Sequence, residues 1–301
     1  MARILIAMIL ILLMVGSALD SQRQKPNLAS SQNTQASSLQ SFRELSYAHQ
    51  KIILANLSET DPEKAWEYLR ETFIHKGVVI KPVHDLAHMI GKAAYRKLGI
   101  EGIRMCDQSF AFGCFHGVTE ELFQTKGVGA VQEVQRTCLD LFPPTQTRLY
   151  TCCFHGMGHG LALWEKLNAP NALKDCDLLE TTYRPFCYDG VFMEYGSHAS
   201  KAANSAGDPW EFCNSLDKQY QDHCARYQAL LLSHTSGWNV PVIALACLQA
   251  TFPNAAETCR AGLGRMVSQK EERDAGRIFQ SCTTIEEESG KYLCILYAAQ
   301  E

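Results

Sequence analysis

Several things are missing from this 301-residue chain, and each absence closes a door. There is no excess of basic charge: 28 Lys and Arg stand against 32 Asp and Glu, for a net charge of -4 and a pI near 6.2. The electrostatic footprint of a nucleic-acid binder is therefore absent. No long apolar run follows the one at the very start, so no membrane span is expected beyond it. No cysteine precedes Cys106, which removes a lipid-attachment cysteine near the N-terminus. No C-x-x-C-H motif is present to attach a haem covalently. No Ser or Cys stands in a convincing nucleophile motif either, so any catalysis would have to come from elsewhere.

What is present begins with Arg3 and the thirteen-residue apolar run "ILIAMILILLMVG", followed by "SALD". A basic start, a run too short to span a bilayer and small residues at Gly16 and Ala18 read as a signal peptide over 1–18. Residues 19–41 are rich in Ser, Gln and Asn and poor in large apolar side chains. Such a stretch cannot bury enough surface to offset its conformational entropy and reads as a polar linker. The expected address is secreted or periplasmic, and there thirteen cysteines mean disulfides.

Those cysteines are periodic. With Cys152 set aside they pair in order as 106/114, 138/153, 176/187, 213/224, 247/259 and 282/294, and the second members advance by 39, 34, 37, 35 and 35 residues. A period in the mid-thirties is the length of a two-helix repeat. The first cysteine of a pair closes an apolar-periodic segment such as "AVQEVQRTC" or "VIALAC". The second opens another, such as "CFHGVTEELF" or "CYDGVFMEY". Short polar turns such as "PPTQTRLYT" and "TFPNAAET" lie between. Pairing within each repeat is the simplest connectivity, and each staple typically adds ~2–4 kcal/mol by restricting the unfolded chain. Asp208 and Pro209 read as N-cap and first helical position before Trp210. "KEERDAGR" reads as no more than a solvated charged face.

Ahead of the cysteines, Asp61 and Pro62 start a helix in "TDPEKAWEYLRETF", and Gly99 ends one in "VHDLAHMIGKAAYRKLG". The expected fold is all-α: an α-solenoid of about six disulfide-linked two-helix repeats over 101–301, with an N-terminal helical cap over 42–100. The stretch "MCDQSFAFGCFHGVTEELFQTKGVGAVQEVQRTC" resembles the cysteine-rich branch of the Sel1-like repeats. It has two cysteines across a helix turn, a C-x-x-G start to the second helix and a "KG-V" turn. The resemblance implies an exported, disulfide-stapled scaffold that contacts proteins or cell-wall material, and no single activity.

The histidines carry the chemical signal. Two and six residues past the second cysteine of each pair lie His116 and Glu120, then His155 and His159, then Asp189 and Met193. Later repeats place Arg226 and Leu230, then Ala261 and Arg265 there. The cap repeats the spacing with His84 and His88. Side chains four apart share a helix face, so paired imidazoles can reach one metal ion. The expected ligands are His84, His88, His116, His155 and His159, for zinc, copper or iron, with Met193 leaning toward copper. Glu120 and Glu121 are the expected catalytic carboxylates, as ligand or base, and Glu194 is a further partner. Haem between facing histidines is the lesser alternative. "HDLAH" carries Asp85 where zinc proteases carry Glu, which argues against a protease.

A packing explanation competes. Helices in contact lie ~8–10 Å apart, so equivalent positions on neighbouring helices do not touch automatically. Gly117, Gly156 and Gly190 share one register that suits close helix approach, and Gly158 and Gly160 are extra. On this view the protein is a non-catalytic scaffold for a protein or cell-wall ligand. Cys152 reads as a small buried apolar side chain, with a soft metal ligand as its alternative.

Overall fold

The computed structural model describes residues 41–74, 81–199 and 208–300. The expected signal peptide and all but residue 41 of the expected linker lie outside these. Of one compact unit, Met1–Leu45, only 41–45 are described, helical over 41–44. The other unit, Ser46–Glu301, holds the cysteine-rich repeats and the expected cap apart from residues 42–45.

That second unit is all helix, with no strand among the described residues. Its first three α-helices are α1 (Tyr47–Thr60), α2 (Pro62–Phe73) and α3 (Lys81–Leu98). A 3-10 segment, Gly99–Met105, leads to α4 (Gly113–Lys126), α5 (Val131–Leu141) and α6 (Thr147–Trp164). Next come α7 (Ala169–Cys176), α8 (Arg184–Ala199), α9 (Glu211–Ser215) and α10 (Lys218–Thr235). The chain ends with α11 (Val240–Cys247), α12 (Ala255–Lys270), α13 (Ala275–Thr283) and α14 (Glu288–Ala298).

All six expected disulfides are present, bridging 106–114, 138–153, 176–187, 213–224, 247–259 and 282–294. Each ties a shorter helix (for the first pair, the 3-10 segment) to the longer helix that follows. The longer helices pack in sequence order, α4 on α6, α6 on α8, and so on to α14, and α3 joins the series ahead of α4. Fully buried Phe115, Phe123, Phe154, Phe192 and Trp210 contribute the largest core side chains.

Local chemistry sets the ends of the elements. Asp61 accepts a hydrogen bond from Lys64 N at 3.0 Å with Pro62 at the first helical position, as expected. Gly99 takes a φ of +65° where α3 stops, a conformation that costs glycine little. Asn168, Asn239 and Asp274 cap α7, α11 and α13 through their side chains.

Three expectations are corrected. The longer helices do not begin at the second cysteine. α6, α10 and α14 start six residues earlier, because turn residues such as Thr147, Arg148 and Lys218 serve well as an exposed first helical turn. Asp208 caps a turn, accepting from Trp210 N at 2.8 Å, and α9 begins only at Glu211. "KEERDAGR" is more than a charged face. Glu272 and Arg273 take left-handed φ of 52° and 59°, turning the chain between α12 and α13, and Asp274 caps the second of these.

Candidate metal centre

Glycine brings α3, α4, α6 and α8 into backbone contact. A Cβ on Gly117 would overlap the carbonyl oxygen of His88, and one on Gly91 the carbonyl oxygen of Cys114. Between α6 and α8 the same lock recurs, with Gly158 against the Cys187 carbonyl and Gly190 against the His155 carbonyl. The register shared by Gly117 and Gly190 is therefore a close-approach device. Gly160 admits the ring of Phe123 and the backbone at Thr119 on the other side of α6. With the backbones this close, side chains on adjacent helices meet despite the usual helix spacing.

All five expected histidines come together. Ring centroids lie 4.5 Å apart for His84 and His88, 5.1 Å for His88 and His116, 4.2 Å for His116 and His159, and 4.9 Å for His155 and His159. Two trios have ligand atoms mutually within 4.8 Å: His84, His88 and His116, then His116, His155 and His159. His116 belongs to both.

The hydrogen bonds around the first trio fix its protons. His84 Nδ1 lies 2.7 Å from the Phe110 carbonyl oxygen. A carbonyl only accepts, so Nδ1 carries the hydrogen and Nε2 of the neutral ring presents a lone pair. His88 Nδ1 lies 2.8 Å from Glu120 Oε1, which assigns its hydrogen in the same way. Yet the two Nε2 atoms stand 2.9 Å apart. His116 Nδ1 sits 3.2 Å from His88 Nε2 and can supply at most one hydrogen to the group. At most one hydrogen thus serves two facing lone pairs, an arrangement that repels unless a metal ion or a further proton occupies the convergence point.

The surroundings match what metal-binding imidazoles use, in which the second ring nitrogen donates to a carbonyl or carboxylate that fixes the ring. Burial, then the neighbouring His88, lowers the pKa of His84 to about 4. Burial, then His159 and the other imidazoles, holds His116 well below the ordinary histidine value. Burial raises the pKa of Glu120, but its bonds to His88 and Lys92 outweigh this and bring it down to about 2. The carboxylate therefore stays ionised, and His84 and His116 stay neutral with lone pairs to donate.

The longest run of left-handed backbone among the described residues lies beside this site. Phe110, Ala111 and Phe112 take consecutive left-handed φ of 53°, 50° and 62°, uncommon for non-glycine residues and costly in a row. That turn carries the Phe110 carbonyl to His84.

The two expected catalytic carboxylates part ways. Glu120 is buried, with Oε1 on His88 and Oε2 on Lys92 Nζ, both at 2.8 Å. Glu121 meets the Arg96 guanidinium at 3.1 Å, and Arg96 also binds Glu59 at 2.6 Å, so Glu121 belongs to a surface ion pair beside the site. Glu194 is bonded through Oε2 to His159 Nδ1 at 2.5 Å. Lys92 and the Phe110 carbonyl were not foreseen. Lys92 lies four residues past His88 on the same face, a spacing that could have marked it; a backbone carbonyl has no sequence signal. Met193 is half-buried, and Asp189 is bonded to His223 Nδ1 at 2.6 Å and Arg226 Nη1 at 2.7 Å. Cys152 has a free, half-buried thiol whose pKa burial raises to about 12, in keeping with an inert side chain.

No protein-family model, curated protein or solved structure matches the chain.

Proposed function

We propose that this is an exported metal-binding protein in which His84, His88 and His116 hold a divalent transition-metal ion. The observation that carries the reading is the 2.9 Å separation of His84 Nε2 and His88 Nε2 when both Nδ1 hydrogens are already committed to oxygen acceptors. Imidazole nitrogens suit zinc, copper or iron. The rings touch one another and leave no slot for a porphyrin between them, so the cargo is a bare ion and not haem. Six staples formed within single repeats support a secreted or periplasmic address, and no helix among the described residues is long and apolar enough to cross a membrane.

Three imidazoles leave a fourth position on a tetrahedral ion, where a bound water would become acidic enough to act near neutral pH. Glu120 is a positioning residue in this arrangement. It holds His88 by its Nδ1 hydrogen and is itself held by Lys92, which leaves it no free oxygen with which to take a proton from water.

Elemental analysis of protein purified without a histidine tag tests the reading. The expected result is stoichiometric zinc, copper or iron that is lost in the His84→Ala plus His88→Ala variant. A proton shared between the two Nε2 atoms would relieve the same repulsion. Protein that is metal-free and gains no thermal stability from zinc, copper or iron would make that proton the answer and remove the proposal.

A further inference from the structure

The second trio repeats the spacing of the first and the carboxylate bond of its later histidine, though not the carbonyl bond that fixes Nδ1 of His84. His155 and His159 are one turn apart on α6, as His84 and His88 are on α3, and their Nε2 atoms stand 3.1 Å apart. The later histidine of each pair gives its Nδ1 hydrogen to a buried carboxylate on the next longer helix: His88 to Glu120 on α4, His159 to Glu194 on α8. The two constructions face each other across His116. That ring turns Nδ1 toward His88, while its Nε2 is buried and has no hydrogen-bond partner, although the residue is only 2 % exposed. An unpartnered nitrogen at such a depth is costly unless something binds it.

From this arrangement we infer that the site is binuclear: His116 bridges two transition-metal ions through its two ring nitrogens, with His84 and His88 completing one and His155 and His159 the other. This rests on the metal-binding reading above and deepens it. Binding of the second ion displaces the remaining N–H proton of His116 to water, leaving an imidazolate with one lone pair for each ion. Bonds of about 2 Å on either side of the ring put the ions about 6 Å apart. Glu120 and Glu194, one beside each ion, supply negative charge where two dications would otherwise be buried together. Each ion also keeps an open position beyond its three imidazoles, so the substrate class that fits is a small molecule whose two donor atoms are far enough apart to reach both ions.

Copper loading of the full chain gives the test, with bound copper measured by elemental analysis and unpaired spins counted by electron paramagnetic resonance. Two copper ions per chain with a spin count well below the copper content is the expected result, because an imidazolate couples the two centres. His155→Ala plus His159→Ala should then bind one copper with its full spin, provided helical circular dichroism matches the parent. One copper per chain in the parent overturns the second site and leaves the first standing. Two copper ions with a full spin count overturn the bridge. A chain that binds no copper, zinc or iron overturns the function proposal itself, so the two failures are distinct. The parent measurement needs no variant and so does not depend on whether a substituted chain folds.

Discussion

The front and rear of this helical array share one geometry and differ in chemistry. At the front, α3, α4 and α6 turn imidazoles toward one another at equivalent positions, and the Nε2 atoms of the two i,i+4 pairs face each other at 2.9 Å and 3.1 Å. At the rear the same register holds a matched set: Asp189, two residues past its cysteine on α8, takes Arg226 Nη1 from the equivalent position on α10 and His223 Nδ1 beside it. The close approach continues too, since a Cβ on Gly262 of α12 would overlap the Arg226 carbonyl oxygen. Further on, buried Arg260 pairs its two terminal nitrogens with Glu287 and Ser289. Packing at this register therefore matches donors to acceptors, and the front departs from it by setting imidazole nitrogens against one another. Isolated buried polar atoms without partners occur elsewhere, at Trp66 and Asp175 among others, but a converging group of them occurs among the described residues at the histidines.

The largest expected effect separates the two regions by metal content. His84→Ala plus His88→Ala should lower zinc affinity by at least about 100-fold, and Gly262→Ala should leave it unchanged; dialysis against a competing chelator measures both. If rear substitutions empty the site as thoroughly as front ones, the contrast is lost. Next in size, removing Arg226 leaves buried Asp189 with His223 alone, so Arg226→Met should cost about 2 kcal/mol in chemical denaturation. His84→Leu, measured on chelator-treated protein, should cost no more than about 1–2 kcal/mol, because removing one of two facing lone pairs offsets the loss of the hydrogen bond to the Phe110 carbonyl. A large loss in that variant would mean that the front is as well matched as the rear.

Gly117→Ala and Gly262→Ala should each destabilise by about 1–3 kcal/mol through overpacking of the backbone, and only the first should also weaken zinc binding. The smallest expected effect concerns a mismatch elsewhere. Asp175 has a buried, unpartnered Oδ2, and burial, then Glu165, raises its pKa to about 6. A folded-state pKa above the unfolded value means the folded chain binds this proton more tightly. The resulting stability is complete below about 4 and lost as pH rises through about 6. The chain should melt lower at pH 7 than at pH 5 on this account, and Asp175→Asn should shrink the difference by less than about 1 kcal/mol, since the group is half exposed.

Much of this was legible in the amino-acid order. Cysteine spacing carried the helix pairs and their staples, because a local bridge constrains both its partners and the period repeats the constraint five times. The five histidines were legible as pairs, because a turn of helix fixes what lies four residues apart. That the pairs meet was not, since it depends on helix separation; the glycines hinted at it without naming which backbones they admit. The inter-helix turns were hidden for a plainer reason. Lys166 and Leu167, or Glu272 and Arg273, adopt left-handed conformations that sequence patterns assign to glycine or asparagine. The strained turn at Phe110–Phe112 was invisible on the same ground.

Every bridge spans only 8 to 15 residues. Each bridge can therefore close as soon as its own short stretch of chain meets oxidising conditions, without waiting for later segments. The one hazard in such a process is a spare thiol adjoining a bridged neighbour, as Cys152 adjoins Cys153. Burial keeps that thiol protonated, and a thiol without its anion does not attack, so cross-links once made stay with their first partners.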